Sequence, residues 1–172
     1  MSDAIFVLGG ARSGKSAHAQ RLVEALGERR LFIATAQAFD AEMEDRIRRH
    51  QADRTAGWET VEAPVDLAEA IRSNSGSGVP LLVDCLTLWL SNLLLADADL
   101  ETASAELASV IADFDGPLVI VSNEVGFGIV PDNALARRFR DAAGRLNQQV
   151  AAAAAFVDLV VAGMPVRIKG AS

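Results

Sequence analysis

The sequence is short of several things, and each shortage removes a class of answer. Of its 172 residues, Cys85 is the single cysteine, set in an apolar run. One thiol offers neither a disulfide framework nor the spacing of a structural metal site, which suits a reducing cytosol. The N-terminus lacks a basic segment followed by an apolar core, so a secreted chain is not expected. The longest apolar run, 150–164, is interrupted by Asp158 and falls short of the ~20 residues a membrane-spanning helix needs. Cationic charge is scarce too. Sixteen lysines and arginines face 23 acidic residues, for a formal charge of -7 and a pI near 4.8. Nucleic-acid affinity comes mainly from cationic side chains that neutralise phosphates, so no nucleic-acid partner is expected. Histidine is limited to His18 and His50. The expectation is a cytoplasmic protein with no membrane span.

What is present reads as a compact fold. Hydrophobic residues make up 51% and charged residues 23%, with a mean hydropathy of +0.23, and this length buries a sizeable core. One domain over 1–172 is expected, without internal repeats. Short β-rich runs at 4–9, 30–35, 79–85, 117–123 and 158–163 alternate with helical patterns at 15–26, 40–52, 66–74, 87–97, 101–114 and 132–155. Most of the strand candidates are apolar on both faces, as in a buried parallel sheet. Such alternation implies an α/β fold, a mostly parallel sheet flanked by helices. A last short run at 166–169 follows Gly163 and Pro165 so closely that it is expected to return antiparallel.

The most informative stretch is "GGARSGKS", Gly9 to Ser16, between the first strand candidate and the first helix. Gly-x-x-x-x-Gly-Lys-Ser in that context is the phosphate-loop pattern. Its glycines let successive backbone N–H groups turn towards phosphate oxygens at a helix N-terminus, where partial positive charge collects. Lys15 is expected to reach the β and γ phosphates of ATP or GTP, and the Ser16 hydroxyl to take one position on Mg²⁺. The fold expectation is therefore a P-loop NTPase of the RecA-like kind. Such a loop needs an acidic partner, and Asp84 supplies it at the end of "LLVD", where a charge on so apolar a strand is costly unless paired. Capping of the next helix is the plain alternative for Asp84. Glu124 ends the next strand candidate at the edge where α/β sheets place ligands.

His50 is open to two readings. It closes the amphipathic stretch 40–54, sharing a face with Met43 and Ile47, so it can be a helix-terminal histidine that complements the helix dipole. It can also be a nucleophile, because an imidazole with a pKa near ~6.5 is largely neutral at pH 7 and can attack phosphorus. Arg46, Arg49 and Arg54 lie nearby in the sequence. His18 is expected to be structural or solvated.

Together, "GGARSGKS", the segment 33–54, "WETVEAP" (58–64), "VDCLTLWLSN" (83–92), "SNEVGFGIVPDNALARRFRDAAGRLNQ" (122–148) and "VAGMPVRIKG" (161–170) resemble the bifunctional adenosylcobinamide kinase/adenosylcobinamide-phosphate guanylyltransferase family of cobalamin biosynthesis. The resemblance spans nearly the whole chain in the same order. Its phosphate loop is shared by many enzymes, whereas the Arg-Ile-x-x-His helix and Asn-Glu-Val-Gly-x-Gly-Ile-Val-Pro are particular to this family. It implies that ATP or GTP phosphorylates the aminopropanol hydroxyl of adenosylcobinamide, and that GMP from GTP then passes through a histidine to the new phosphate, giving adenosylcobinamide-GDP. The histidine falls on His50. The nucleotide contacts fall on Gly9, Gly10, Ala11, Arg12, Ser13, Gly14, Lys15 and Ser16, on Ala34, Thr35 and Ala36, on Gln51, Ala52, Asp53 and Arg54, and on Glu62 and Asp84. A homotrimer with substrate between subunits is also implied. Where some members carry a second histidine just before the nucleophile, this chain has Arg49.

If the helix 40–52 packed back along the sheet, His50 would lie roughly 15 Å from the strand-end edge at 1.5 Å per residue. In-line attack then requires an outward-pointing helix, a movement, or a neighbouring subunit. Two rivals remain at this stage: a small-molecule P-loop kinase in which His50 is structural, and a GTP-binding switch. The guanine-reading Asn-Lys-x-Asp motif that would favour the switch is absent.

Overall fold

The computed structural model describes residues 3–37 and 56–170. Its strands are β1 (Ile5–Gly9), β2 (Arg30–Ala34), β3 (Trp58–Glu62), β4 (Leu81–Asp84), β5 (Leu118–Asn123), β6 (Phe156–Val161) and β7 (Met164–Lys169). The described helices are α1 (Lys15–Glu24), α2 (Leu67–Arg72), α3 (Leu86–Leu95), α4 (Leu100–Asp113) and α5 (Ala134–Ala153). The strands form one sheet in the order β3-β2-β4-β5-β1-β6-β7, parallel except for the final β6–β7 pair. This is the P-loop fold expected above, and the closing strand returns antiparallel as the Gly163–Pro165 turn implied. The expected helix 40–52 lies outside the described residues.

Strand pleating divides the core in two, because successive side chains point to opposite faces. In β1, Phe6 and Leu8 join the larger cluster with Leu107, Ile111, Leu146 and Val150 of α4 and α5. Val7 points the other way and packs with Ala19 and Val23 of α1. Burial on both faces explains why the central strands are apolar throughout. The buried positions of α5, Ala142, Ala143, Leu146 and Val150, recur at helical spacing along one stripe.

Helix ends are held by side chains. The Asp99 carboxylate accepts from the N–H groups of Glu101 and Thr102 at the start of α4, and the Asn133 side chain accepts from Ala136 at the start of α5. At the other end of α5, Lys169 Nζ donates to the carbonyls of Ala151, Ala152 and Ala154 at 2.8, 2.8 and 2.6 Å. A cation at a helix C-terminus also complements the dipole.

The sequence pattern does not predict the strand at 58–62. Among the described residues β3 has one neighbour, β2, so only Trp58 and Val61 are partly covered while Glu59, Thr60 and Glu62 are exposed. An edge strand needs no continuous apolar run, which hid it from pattern reading. β6 also begins at Phe156, two residues before its expected start.

Candidate active site

The phosphate loop is residues 10–14, between Gly9 at the end of β1 and Lys15 at the start of α1. Gly14 is the N-cap, with φ 92° and no side-chain cap. The first N–H groups of α1 are therefore left for an anion. The two pattern glycines are required sterically. A Cβ on Gly9 would lie 2.8 Å from the Val160 carbonyl oxygen, and one on Gly14 would lie 3.1 Å from the Gly163 Cα. The loop is gripped from both neighbouring strands. The Glu124 N–H, just beyond β5, donates to the Gly9 carbonyl at 3.0 Å, and the Gly163 N–H, in the β6–β7 turn, donates to the Ser13 carbonyl at 2.8 Å. Lys15 is buried and its Nζ donates to the Gly10 carbonyl at 3.3 Å, folded over the loop it belongs to.

Register sets the other described candidates along the same edge. Ala34 of β2 pairs with Glu62 on one side and Asp84 on the other. Asp84 pairs with Val121 of β5, and Val121 with Val7 of β1. Asp84 therefore stands two strands from β1, roughly 10 Å at ordinary strand spacing. The Cys85 thiol, buried beside Asp84, is pushed up to about 11 by burial first and by the Asp84 carboxylate second, while hydrogen bonds with the Leu88 backbone and the Thr87 side chain pull it down, and the Lys15 ammonium does so least. Both charges thus bear on the end of β4.

Thr35 is fully buried and its polar groups are committed to the protein. Its hydroxyl donates to the Cys85 carbonyl at 2.7 Å and accepts from the Cys85 N–H at 2.9 Å. Its carbonyl accepts from Asn92 Nδ2 at 2.8 Å, a group that also donates to the Pro64 carbonyl at 2.9 Å. These bonds tie the ends of β2, β3 and β4 to α3.

A buried ion cluster beside the loop escaped sequence reading. His18 of α1 lies with Nε2 2.9 Å from the Asp158 carboxylate of β6, and Arg167 of β7 donates to the other oxygen of the same carboxylate. Burial alone would raise the Asp158 carboxyl, but the hydrogen bonds from Arg167 and His18 outweigh it and hold the group below its ordinary range. An ionised carboxylate only accepts, so the facing Nε2 carries the proton. The cluster ties α1 to the hairpin whose turn holds Ser13. The signal was available: Asp158 interrupts "FVDLVV", the same anomaly that drew attention to Asp84.

His50, Gln51, Ala52, Asp53 and Arg54 lie outside the described residues, as do Arg46 and Arg49. Among the described residues no three His, Cys, Asp or Glu side chains converge on a common point. The oxygen donors of Ser16 and Asp84 are hard ligands that suit Mg²⁺ carried mainly by nucleotide phosphates.

A glycine loop joining the first strand of a mostly parallel sheet to a helix, with a carboxylate at a nearby strand end, defines a P-loop nucleotide-binding protein. The fold is similar to a solved "prototypical ATPase from the type III secretion system of pathogenic bacteria", at a TM-score of 0.55 and 10% identity, over 91% of this chain and 50% of that one. The chain belongs to the cobinamide kinase/cobinamide phosphate guanyltransferase family, whose model matches residues 5–168. It is 48% identical to the bifunctional adenosylcobalamin biosynthesis protein CobP of Pseudomonas aeruginosa, over 95% of this chain and 96% of that protein. It is 45% identical to the bifunctional adenosylcobalamin biosynthesis protein CobU of Escherichia coli K12, over 96% and 99%.

Proposed function

We propose that this chain catalyses two successive reactions, phosphorylation of adenosylcobinamide by ATP or GTP and guanylyl transfer from GTP to the resulting phosphate. The observation that carries the reading is the phosphate loop held between Glu124 and Gly163 at the strand-end edge, in a chain of this family.

In the first reaction the acceptor hydroxyl oxygen bonds to the γ-phosphorus and gives up its proton to solvent, the bond from that phosphorus to its bridging oxygen breaks, and the nucleoside diphosphate leaves. Phosphoryl transfer asks for positioning and charge neutralisation rather than covalent help. The loop N–H groups and Lys15 supply these by facing the phosphates. Ser16 and Asp84 would hold Mg²⁺, which neutralises phosphate charge when bound. In the second reaction His50 is the nucleophile. Its ring nitrogen bonds to the α-phosphorus of GTP, pyrophosphate leaves, and a phosphate oxygen of the corrinoid then displaces the imidazole. A P–N bond to imidazole is labile because the protonated ring leaves readily. Gln51 to Arg54, Ala34 to Ala36 and Glu62 would complete the nucleotide contacts. The protein would act as one domain over 1–172, as a cytoplasmic homotrimer whose neighbouring subunit helps bring His50 to the phosphate.

The test is incubation with GTP labelled in the α-phosphate. The expected result is a covalent adduct, acid-labile and alkali-stable, absent from His50→Ala. Phosphorylation of adenosylcobinamide without any adduct would leave a kinase alone.

A further inference from the structure

The loop from Glu124 to Asn133 carries apolar side chains that the described fold leaves uncovered. Phe127 is 87% exposed, Ile129 97% and Val130 64%. Three large apolar side chains so exposed within four residues are a concentration that suits a binding role. No charged residue interrupts 125–131.

Position says what the surface serves. The loop is rooted in the phosphate site, because the Glu124 N–H donates to the Gly9 carbonyl at 3.0 Å. Its far end, Asn133, lines a groove of about 330 Å³ between Leu94 and Leu95 of α3 and Leu135 and Phe139 of α5. The groove sits at the strand-end edge, since α3 is held there by the Asn92 bonds to the Thr35 and Pro64 carbonyls. The loop therefore connects the phosphate site to this groove along the chain.

We propose that this loop and groove are the docking surface for the corrin macrocycle of the acceptor substrate, with Phe127 and Ile129 packing on the ring face so that its side-arm hydroxyl reaches the phosphate loop. The assignment rests on the function proposed above. The corrin face opposite the adenosyl ligand is broad and apolar inside its rim of amide arms, which matches uncharged apolar side chains on a loop made adaptable by Gly126 and Gly128. A second copy of the chain has a better place elsewhere. Among the described residues β7 is a sheet edge that exposes Met164, Val166 and Ile168 along one side, and edge backbone is what another protein chain can use.

The experiment compares wild type with Phe127→Ala, Ile129→Ala and the conservative Phe127→Leu. It measures the KM for adenosylcobinamide at saturating ATP, the Kd for ATP, the Kd for adenosylcobinamide by equilibrium dialysis, and solution mass by light scattering. Each alanine variant is expected to raise the corrinoid KM and Kd by about ten-fold, the scale set by withdrawing a large apolar side chain from a buried contact. Phe127→Leu is expected to recover most of that loss, and the Kd for ATP to stay within about two-fold. A corrinoid KM within about two-fold of wild type in both alanine variants overturns the docking surface while leaving the two-step reading intact. A change in solution mass in the alanine variants overturns it too, by giving the surface to a second copy. Failure of the wild type to phosphorylate or bind adenosylcobinamide overturns the reading on which the assignment stands.

Discussion

The buried carboxylate of Asp158 offers the sharpest test of how the phosphate loop is held in place. Asp158 is 3% exposed and accepts from both His18 and Arg167. Asp158→Asn keeps the shape but removes the charge and turns one acceptor into a donor that faces a guanidinium. Taking one member from a buried ion pair costs ~3–5 kcal/mol, because the partner is left uncompensated. Here the Arg167 side chain is 29% exposed, so water softens its loss and the expected cost is ~2–4 kcal/mol. For a chain of this size that lowers Tm by about 5–15 °C. Replacing all three residues by apolar ones of similar volume is expected to cost less than the single substitution, since well-packed hydrophobes often match a buried ion cluster. The acid limb carries a second signature. The Asp158 carboxyl is held below its ordinary value of 3.8 in the folded protein. Its contribution is therefore complete above that value and is lost as pH falls through the lower folded one. Asp158→Asn should flatten the fall in stability below about pH 4. Urea unfolding at pH 7 and at pH 3 reads both effects. A single variant within about 0.5 kcal/mol of wild type at pH 7, the scale of an ordinary surface substitution, refutes the reasoning.

Four further outcomes are expected. Lys15→Ala should lower kcat for corrinoid phosphorylation by about 10²- to 10³-fold with Tm little changed, as loss of one charge-stabilising group does; steady-state kinetics with a thermal melt checks it. Gly9→Ala should raise the Kd for ATP at least ten-fold, about the scale of a 1.4 kcal/mol loss, because a methyl there meets Ser13 and the Val160 carbonyl, and calorimetric titration measures it. Thr35→Val leaves the buried Cys85 N–H and carbonyl without their hydroxyl partner and should cost ~1–3 kcal/mol in denaturant unfolding. The Cys85 thiol, pushed up to about 11, stays neutral at pH 8, so an aromatic disulfide reagent should leave the native protein unlabelled and titrate one thiol on unfolding.

The parts of this molecule that were legible in its sequence are those whose residues are chosen by local demands. The phosphate loop announces itself because Gly9 and Gly14 answer steric constraints that no other residue meets. Central strands are legible because burial on both faces leaves no room for polar side chains. β3 was invisible because a single neighbour imposes no such demand. The Asp158 cluster was invisible as a cluster for another reason: its members, His18 and Arg167, are drawn from α1 and β7 across long stretches of chain. Only the lone charge in an apolar strand could be seen locally. Thr35 was expected beside nucleotide, and what sequence could not convey is that its hydroxyl and carbonyl are bonded inward.

These bonds bear on how one cradle can serve two reactions. The loop is tied on one side through Gly9 to Glu124 and on the other through Ser13 to Gly163, and the hairpin carrying Gly163 is anchored to α1 by the Asp158 cluster. Moving the loop would break contacts on both flanks and disturb a buried charge. On the reading proposed above, the change between phosphoryl and guanylyl transfer is therefore made by what arrives at the loop, namely the corrinoid hydroxyl in one step and the His50 imidazole in the other. On the same reading a fixed cradle would present different phosphorus atoms to different nucleophiles, so positioning would dominate both chemistries: the N–H groups and Lys15 would act on nucleotide phosphates in either case, and only the attacking atom would change.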